Sequence, residues 1–223
     1  MRRFPLKRAG AALAAATLLM ACGHPEKGVV DKYFQAVNAR DNQTLASFAS
    51  VTFDKKVDRF DITKTVSDTK DPASLPALVK KQKGIEGEIA ANRKLYMGYN
   101  LEHLKEVDEF KEIRKSGGKI PAKLTTVGAD WEKFEQTEKD LKVKLGDARR
   151  AVEREKKNMI LSVGAVDDLE SLDGEVQTKQ VELDLTIEGT PQKYLMTLKK
   201  YDVKTATGGK VISRWVVSGL QKA

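Results

Sequence analysis

The sequence is poor in the residues that most often carry chemistry. It has one cysteine and two histidines among 223 residues. A single cysteine excludes an internal disulfide and a cysteine-based zinc site. The histidines, His24 and His103, lie far apart and leave little for a metal site or a triad. No phosphate loop, dinucleotide fingerprint, H-E-x-x-H or G-x-S-x-G motif occurs, so we predict no catalytic residue, metal or cofactor.

Long apolar runs are also lacking. The apolar run over residues 9–21 rises only ~20 Å as a helix, too little to cross a hydrocarbon core of ~30 Å. Four basic residues and no acidic residue precede it: Arg2, Arg3, Lys7 and Arg8. A basic start followed by a short apolar run predicts a signal peptide over residues 1–21.

The apolar run ends in Leu19-Met20-Ala21-Cys22, which resembles the lipobox of bacterial lipoproteins. The resemblance implies cleavage between Ala21 and Cys22, attachment of lipid to the Cys22 thiol, and acylation of the new amino terminus by fatty acids such as palmitate. Met20 is a minor departure from the usual small residue. The alternative is an ordinary secreted protein that is cut elsewhere in the alanine-rich run.

The lipoprotein resemblance also implies a location for the mature chain. Gly23 stands where an inner-membrane lipoprotein carries Asp. We therefore expect the periplasmic face of the outer membrane, if the source is Gram-negative. Residues 22–28 would be a tether that spans at most ~20 Å.

The net charge of +8 is distributed unevenly. Removal of residues 1–21 leaves a mature chain of +4, of which residues 75–161 carry +5 and the remainder −1. Nucleic acid is not an expected partner, because the chain is exported and has no interleaved basic and aromatic residues.

The two ends of the mature chain predict an α+β domain. Val30, Tyr33, Phe34 and Val37 have helical spacing, and Asp41 or Asn42 can cap a second helix. A first strand is predicted over residues 57–62. Alternating apolar residues predict further strands over 181–188, 194–198 and 211–217, joined by short turns as an antiparallel meander.

Helices followed by a curved meander resemble the NTF2-like domains, the cystatin-like α+β fold of the SnoaL and ketosteroid-isomerase type. Residues 29–74 and 162–223 would form this discontinuous domain. The resemblance implies a cone that can hold a buried acidic base. Asp58, Arg59 and Asp61 on the predicted first strand are the nearest candidates.

The middle of the chain, residues 75–161, predicts an inserted antiparallel coiled-coil hairpin. From Val127 to Met159, ten positions follow alternating spacings of four and three, the pattern of a coiled-coil seam, and all but Glu138 and Glu155 are apolar. A second apolar stripe runs from Leu75 to Ile113, with Ser74 as its cap. Residues 116–121 are a turn by composition. Tyr96, Tyr99, Trp131 and Phe134 are expected to pack in the seam.

A cluster of basic residues is expected at the base of this hairpin. Pairing about a turn near residue 119 or 120 places residue n opposite roughly residue 239 − n. This register defines a basic collar formed by Lys80, Lys81, Lys83, Arg154, Lys156 and Lys157. The collar could attract anionic headgroups or an acidic protein, or it could be an ordinary solvated surface.

Together these features predict a lipid-anchored envelope protein whose hairpin is a non-catalytic interaction or scaffold module with an envelope protein partner. One alternative is the binding of a small apolar ligand, or carboxylate catalysis, in an NTF2-like pocket. Another is a periplasmic chaperone, because a β body with basic helical arms resembles Skp in layout. The oligomeric state is left open.

Overall fold

A computed structural model describes residues 26–204, 209 and 211–223, and its fold is α+β. Within these residues, five α-helices accompany one four-stranded sheet. In chain order the elements are α1 (Lys27–Ala39), α2 (Asn42–Phe48), β1 (Arg59–Pro72), α3 (Leu75–Glu102), α4 (Leu104–Ser116), α5 (Ala122–Val163), β2 (Asp173–Ile187), β3 (Thr190–Lys204) and β4 (Val216–Lys222).

The sheet has the order β1-β2-β3-β4, and every neighbouring pair is antiparallel. The turn between β2 and β3 is Glu188-Gly189, whose φ angles are 52° and 75°. Positive φ at both central residues is the geometry that a tight hairpin requires. The predicted meander is confirmed as an antiparallel order, although β2 and β3 are each 15 residues long and exceed the predicted strands.

Helices α1 and α2 cover one face of the sheet. Leu183 and Leu185 of β2 and Met196 of β3 are fully buried there against Tyr33 and Phe34 of α1. The two short helices predicted over residues 29–48 are confirmed. The cap of α2 is Asp41, whose carboxylate accepts a hydrogen bond from the Thr44 amide at 2.9 Å.

The opposite face of the sheet packs against the base of the inserted helices. Tyr201 of β3 is fully buried in a second cluster with Leu75 of α3 and Met159 of α5. Tyr201 is odd-numbered, whereas the residues of β3 in the first cluster are even-numbered. Since successive residues of a strand point to opposite faces, the sheet lies between two apolar clusters.

Helices α3, α4 and α5 form what we call the arm. Residue numbers in the contacts between α3 and α5 rise along α3 and fall along α5, from Ser74–Glu155 at the base to Arg93–Glu138 further out. The two helices are therefore antiparallel. Helix α5 has 42 residues and is therefore about 63 Å long. The arm follows β1 and precedes β2 in the chain.

Several local expectations were wrong. The segment of the first apolar stripe, Leu75 to Ile113, is not one helix. It is interrupted at His103, which lies between α3 and α4 and whose ring is 4.6 Å from the Tyr99 ring. Ser74 does not cap α3, because its hydroxyl donates to Glu155 at 2.5 Å. The predicted register is off by several residues. It placed residue 153 opposite Glu86, whereas Glu86 pairs with Arg149.

The last strand begins at Val216 rather than at Val211. Arg214 is held away from the sheet by α2 and α5. Its guanidinium donates to the carbonyl oxygens of Leu161 at 2.8 Å and Ser47 at 2.9 Å. Its own carbonyl accepts from the Ser162 hydroxyl at 2.7 Å.

Candidate functional site

The distal part of the arm is held together by its own helices. Two apolar clusters lie there: one joins Ile85 and Ile89 of α3 to Leu141 of α5, and the other joins Phe110 of α4 to Trp131 of α5. Neither cluster includes a residue of the sheet, of α1 or of α2. We call α1, α2 and the sheet the body. The distal arm therefore presents surfaces that the body does not cover.

The four aromatic residues that were expected in the seam pack against one another there. Trp131 is 6% exposed, and its indole N–H donates to the Tyr96 hydroxyl at 3.0 Å. The rings of Tyr99 and Phe134 are 5.5 Å apart. Packing in the seam is confirmed for these residues.

One edge of the arm is closed by ion pairs between α3 and α5. Glu86 of α3 pairs with Arg149 of α5 at 3.1 Å, and Arg93 of α3 pairs with Glu138 of α5 at 3.1 Å. Glu138 also pairs with Lys142 of its own helix at 2.9 Å. Hydrogen bonds from Lys142 and Arg93 lower the pKa of Glu138. Side chains of this edge are half exposed, so each pair contributes only ~0.2–1 kcal/mol.

The other edge of the arm is an open groove of about 690 Å³ between the same two helices. Its walls include the small residues Gly84, Ala148 and Ala151, with Ile85 among the lining side chains. Within the described residues, no ion pair joins α3 to α5 across this edge. The small side chains of these residues thus create the groove.

The outer side of α3 and α4 faces away from α5 and carries large apolar residues. Met97 is 65% exposed, Leu101 77% and Leu104 55%. Sequence reasoning missed these residues, because it followed the stripe that packs against α5. Their spacing of four and then three residues was the signal that could have found them.

A buried polar cluster fixes the base of the arm to the sheet. Glu155 of α5 is 5% exposed and accepts hydrogen bonds from Ser74 at 2.5 Å, from the Tyr201 hydroxyl at 2.8 Å and from Lys199 at 2.7 Å. Burial raises the pKa of Glu155, but the hydrogen bonds from Lys199 and Ser74 outweigh it, so the net shift is downward. Glu155 is therefore an ionised structural anchor.

A second buried acid marks the beginning of the described chain. Glu26 is 1% exposed, immediately before α1. Its carboxylate accepts a hydrogen bond from Thr65 at 3.0 Å and lies 3.5 Å from the Lys179 ammonium. Lys179 also pairs with Asp68 at 3.2 Å. The chain is thus fixed to the sheet from residue 26 onward.

The residues of the predicted basic collar lie in different surroundings. Lys83 and Lys156 line one cleft with Glu170, and Lys156 pairs with Glu170 at 2.6 Å. Lys157 donates to the Ser50 carbonyl at 3.4 Å. Lys81 lines the groove on the open edge of the arm.

The other two members of the collar, Lys80 and Arg154, are exposed. A role for the collar in recognition stays a prediction.

The candidate acids of the first strand lie at the surface. Arg59 pairs with Asp61 at 2.9 Å, with side chains 77% and 59% exposed. Asp58 accepts a hydrogen bond from the Gly189 amide at 3.2 Å. Ala21 and Cys22, the predicted cleavage and lipidation residues, lie outside the described residues.

Comparisons with protein-family models, curated proteins and solved structures found no match. Among the described helices, none combines the length and apolarity that crossing a membrane requires. In the same part of the chain, no group of three or more His, Cys, Asp or Glu is arranged to hold a metal ion. Function is therefore inferred from the geometry of this chain.

Proposed function

We propose that this protein is a lipid-anchored envelope protein whose arm is a non-catalytic interaction module. The observation that carries the proposal is the distal arm, which is packed only by its own helices and exposes Met97, Leu101 and Leu104. Large apolar side chains grouped on one exposed helix face are typical of interaction surfaces.

The anchor is proposed from the lipobox-like segment that ends at Cys22. Because Glu26 is buried against Thr65 and Lys179, only residues 23–25 separate Cys22 from the folded body. The distance from Cys22 to Glu26 is then at most ~14 Å. This tether is shorter than the one we expected over residues 22–28. A body held so close to a bilayer would present its arm at a defined height.

We further propose that the body is an NTF2-like domain and that the arm is a coiled-coil hairpin inserted in it. The order of two helices followed by an antiparallel sheet supports this assignment, as does the position of the arm between β1 and β2.

The contacts of the body favour interaction over the two pocket-based alternatives. An apolar-ligand pocket would lie between α1 and the sheet, where Tyr33, Phe34 and Leu185 are fully buried against one another. Carboxylate catalysis would use an acid of raised pKa. The pKa of the buried Glu155 is shifted downward, and so are those of six further carboxyl groups, Asp41, Asp68, Glu86, Glu138, Glu170 and Glu182.

The test separates the anchor from the arm. A trimmed variant lacks residues 87–148 and joins Glu86 to Arg149 by a short glycine-rich turn, which keeps the Glu155 cluster. We expect it to stay in the membrane fraction and to lose the partners that the full chain captures by cross-linking in cells. A Cys22→Ser variant should lose palmitate labelling and leave the membrane. An unchanged set of partners for the trimmed variant would overturn the role of the arm.

A further inference from the structure

The outer side of α3 and α4 carries a regular stripe that nothing in the described chain covers. We call Lys94, Met97, Leu101, Leu104 and Asp108 the outer stripe; they recur at spacings of three, four, three and four residues. This is the spacing of a helix–helix seam. Its three central residues are apolar and more than half exposed, and its two ends carry opposite charges.

The outer side of α5 offers a direct contrast. There Lys139, Val143, Gly146 and Arg150 follow the same spacing, but Val143 is the only large apolar residue of the four, at 65% exposure. The last turns of α3, in turn, carry the apolar Met97 and Leu101 on their outer side, in addition to the apolar side by which the helix packs against α5. A helix that is apolar on opposite sides is normally covered on both.

The outer stripe is complementary to itself when its direction is reversed. If two copies cross antiparallel with Leu101 on the two-fold axis, Lys94 of one copy faces Asp108 of the other, at both ends of the contact. Met97 of α3 faces Leu104 of α4 to within one residue, across the break at His103. Within the described residues, neither Lys94 nor Asp108 has an ion-pair partner in its own chain.

The position opposite Leu104 in this arrangement also suits close packing. It falls at Gly98, where no atom of the chain lies within 4 Å of an added Cβ. The larger Leu104 of one copy therefore meets an open position on the other. Two-fold contacts of this kind are isologous, because the same patch serves both partners.

We propose that two copies of this chain associate through their outer stripes, antiparallel and with Leu101 at the two-fold axis. The apolar part of each stripe is three side chains, whereas standard interfaces bury ~800 Å² per partner. The dimer is accordingly weak in solution. The association follows from the arm alone and does not depend on the proposed lipid anchor.

Disulfide trapping tests the geometry in the full chain with Cys22→Ser, so that the added thiol is the only one. Leu101→Cys places two thiols across the axis, within the Cα separation of less than ~7 Å that a disulfide needs. Val143→Cys is the matched control, because the two positions have similar exposure, 77% and 65%. Under mild oxidation we expect Leu101→Cys to form covalent dimers at least ~10-fold faster than Val143→Cys. Equal rates, or no dimer at position 101, would overturn the proposal.

A charge swap tests that the partner is a second copy. In the Leu101→Cys background, Lys94→Asp places like charges together and should slow trapping, and added salt should reduce the difference. The double change Lys94→Asp with Asp108→Lys restores opposite charges only if the stripe meets its own reversed copy. We expect the double variant to regain the original rate. A double variant as slow as the single one would contradict a two-fold partner, as would trapping of a different protein.

Discussion

Glu155→Ala should be among the most damaging substitutions at the base of the arm. It leaves the Lys199 ammonium and the fully buried Tyr201 hydroxyl without the carboxylate that accepts from them at 2.7 and 2.8 Å. Breaking a buried ion pair by removing one partner costs about 3–5 kcal/mol. The Lys199 side chain is 21% exposed, so water can reach it. We therefore expect the low end of that range, about 3 kcal/mol.

Glu138→Ala is the matched control for this prediction. Glu138 is also a glutamate of α5 and pairs with two cations, but its side chain is 22% exposed and those of Arg93 and Lys142 are 56% and 59% exposed. Exposed pairs contribute at most ~1 kcal/mol. The two variants thus separate burial from the mere number of ion pairs.

Urea unfolding of the full chain with Cys22→Ser, followed by circular dichroism, measures both variants. Thermal unfolding of the same chains is a second readout, in which about 3 kcal/mol corresponds to a fall in melting temperature of roughly 6–12 °C. Trp131 in the arm and Trp215 beside the body's core provide fluorescence signals for the two parts. Equal destabilisation by Glu155→Ala and Glu138→Ala would refute the reasoning.

The same anchor predicts a dependence on pH. The pKa of Glu155 is lower in the folded chain than its ordinary value of 4.5. The unfolded chain thus binds the proton more readily, so the stabilisation is complete above pH 4.5 and is lost as the pH falls through the lowered value. The stability difference between the wild type and Glu155→Ala should therefore shrink in acid. A difference that stays constant from pH 7 to pH 3 would contradict an ionised Glu155.

Two further substitutions test local packing. Gly128→Ala should destabilise the distal arm by about 1–3 kcal/mol, because an added Cβ would overlap the Phe110 ring. Gly146→Ala is the control, since its added Cβ meets only the end of a flexible side chain. Equal melting temperatures of the two variants would contradict the contact. Asp41→Ala should cost about 1 kcal/mol by removing the hydrogen bond from the Thr44 amide to the cap of α2; an unchanged urea midpoint would show that the cap contributes nothing.

The sequence predicted the elements in which apolar residues are periodic. Helices α1 and α2 and the apolar halves of β2 and β3 follow from such spacing. The first half of β2 did not, because Glu175, Gln177 and Lys179 interrupt the apolar alternation. That segment is a strand because it pairs with β1 on one side and with β3 on the other. Gln177, for example, pairs with Lys70 of β1 and with Lys200 of β3.

Contacts between distant parts of the chain explain the other differences. Glu155 fitted the seam by its spacing, but its partners Lys199 and Tyr201 lie on a strand more than forty positions later and could not be assigned to it. The last strand begins later than predicted because Arg214 bonds to α5 and to the end of α2. Spacing alone does not contain such pairings.

The outer stripe, in contrast, was visible in the sequence. Its spacing from Lys94 to Asp108 is as regular as that of the seam, although the break at His103 places Leu104 and Asp108 on α4 rather than on α3. Only the packing of α3 against α5 shows which stripe is covered within the chain. The other stripe then becomes the candidate interaction surface.

Photo-cross-linking in cells is the most direct test of the arm as an interaction module. A photoreactive residue replaces Leu101 in one full-length variant and Val143 in another, and the membrane fraction is compared after irradiation. The interaction role predicts a discrete cross-linked product from position 101 and little or none from position 143, and the mass of the product distinguishes a second copy of the chain from a different envelope protein. Equal products from both positions, or none from position 101, would contradict it.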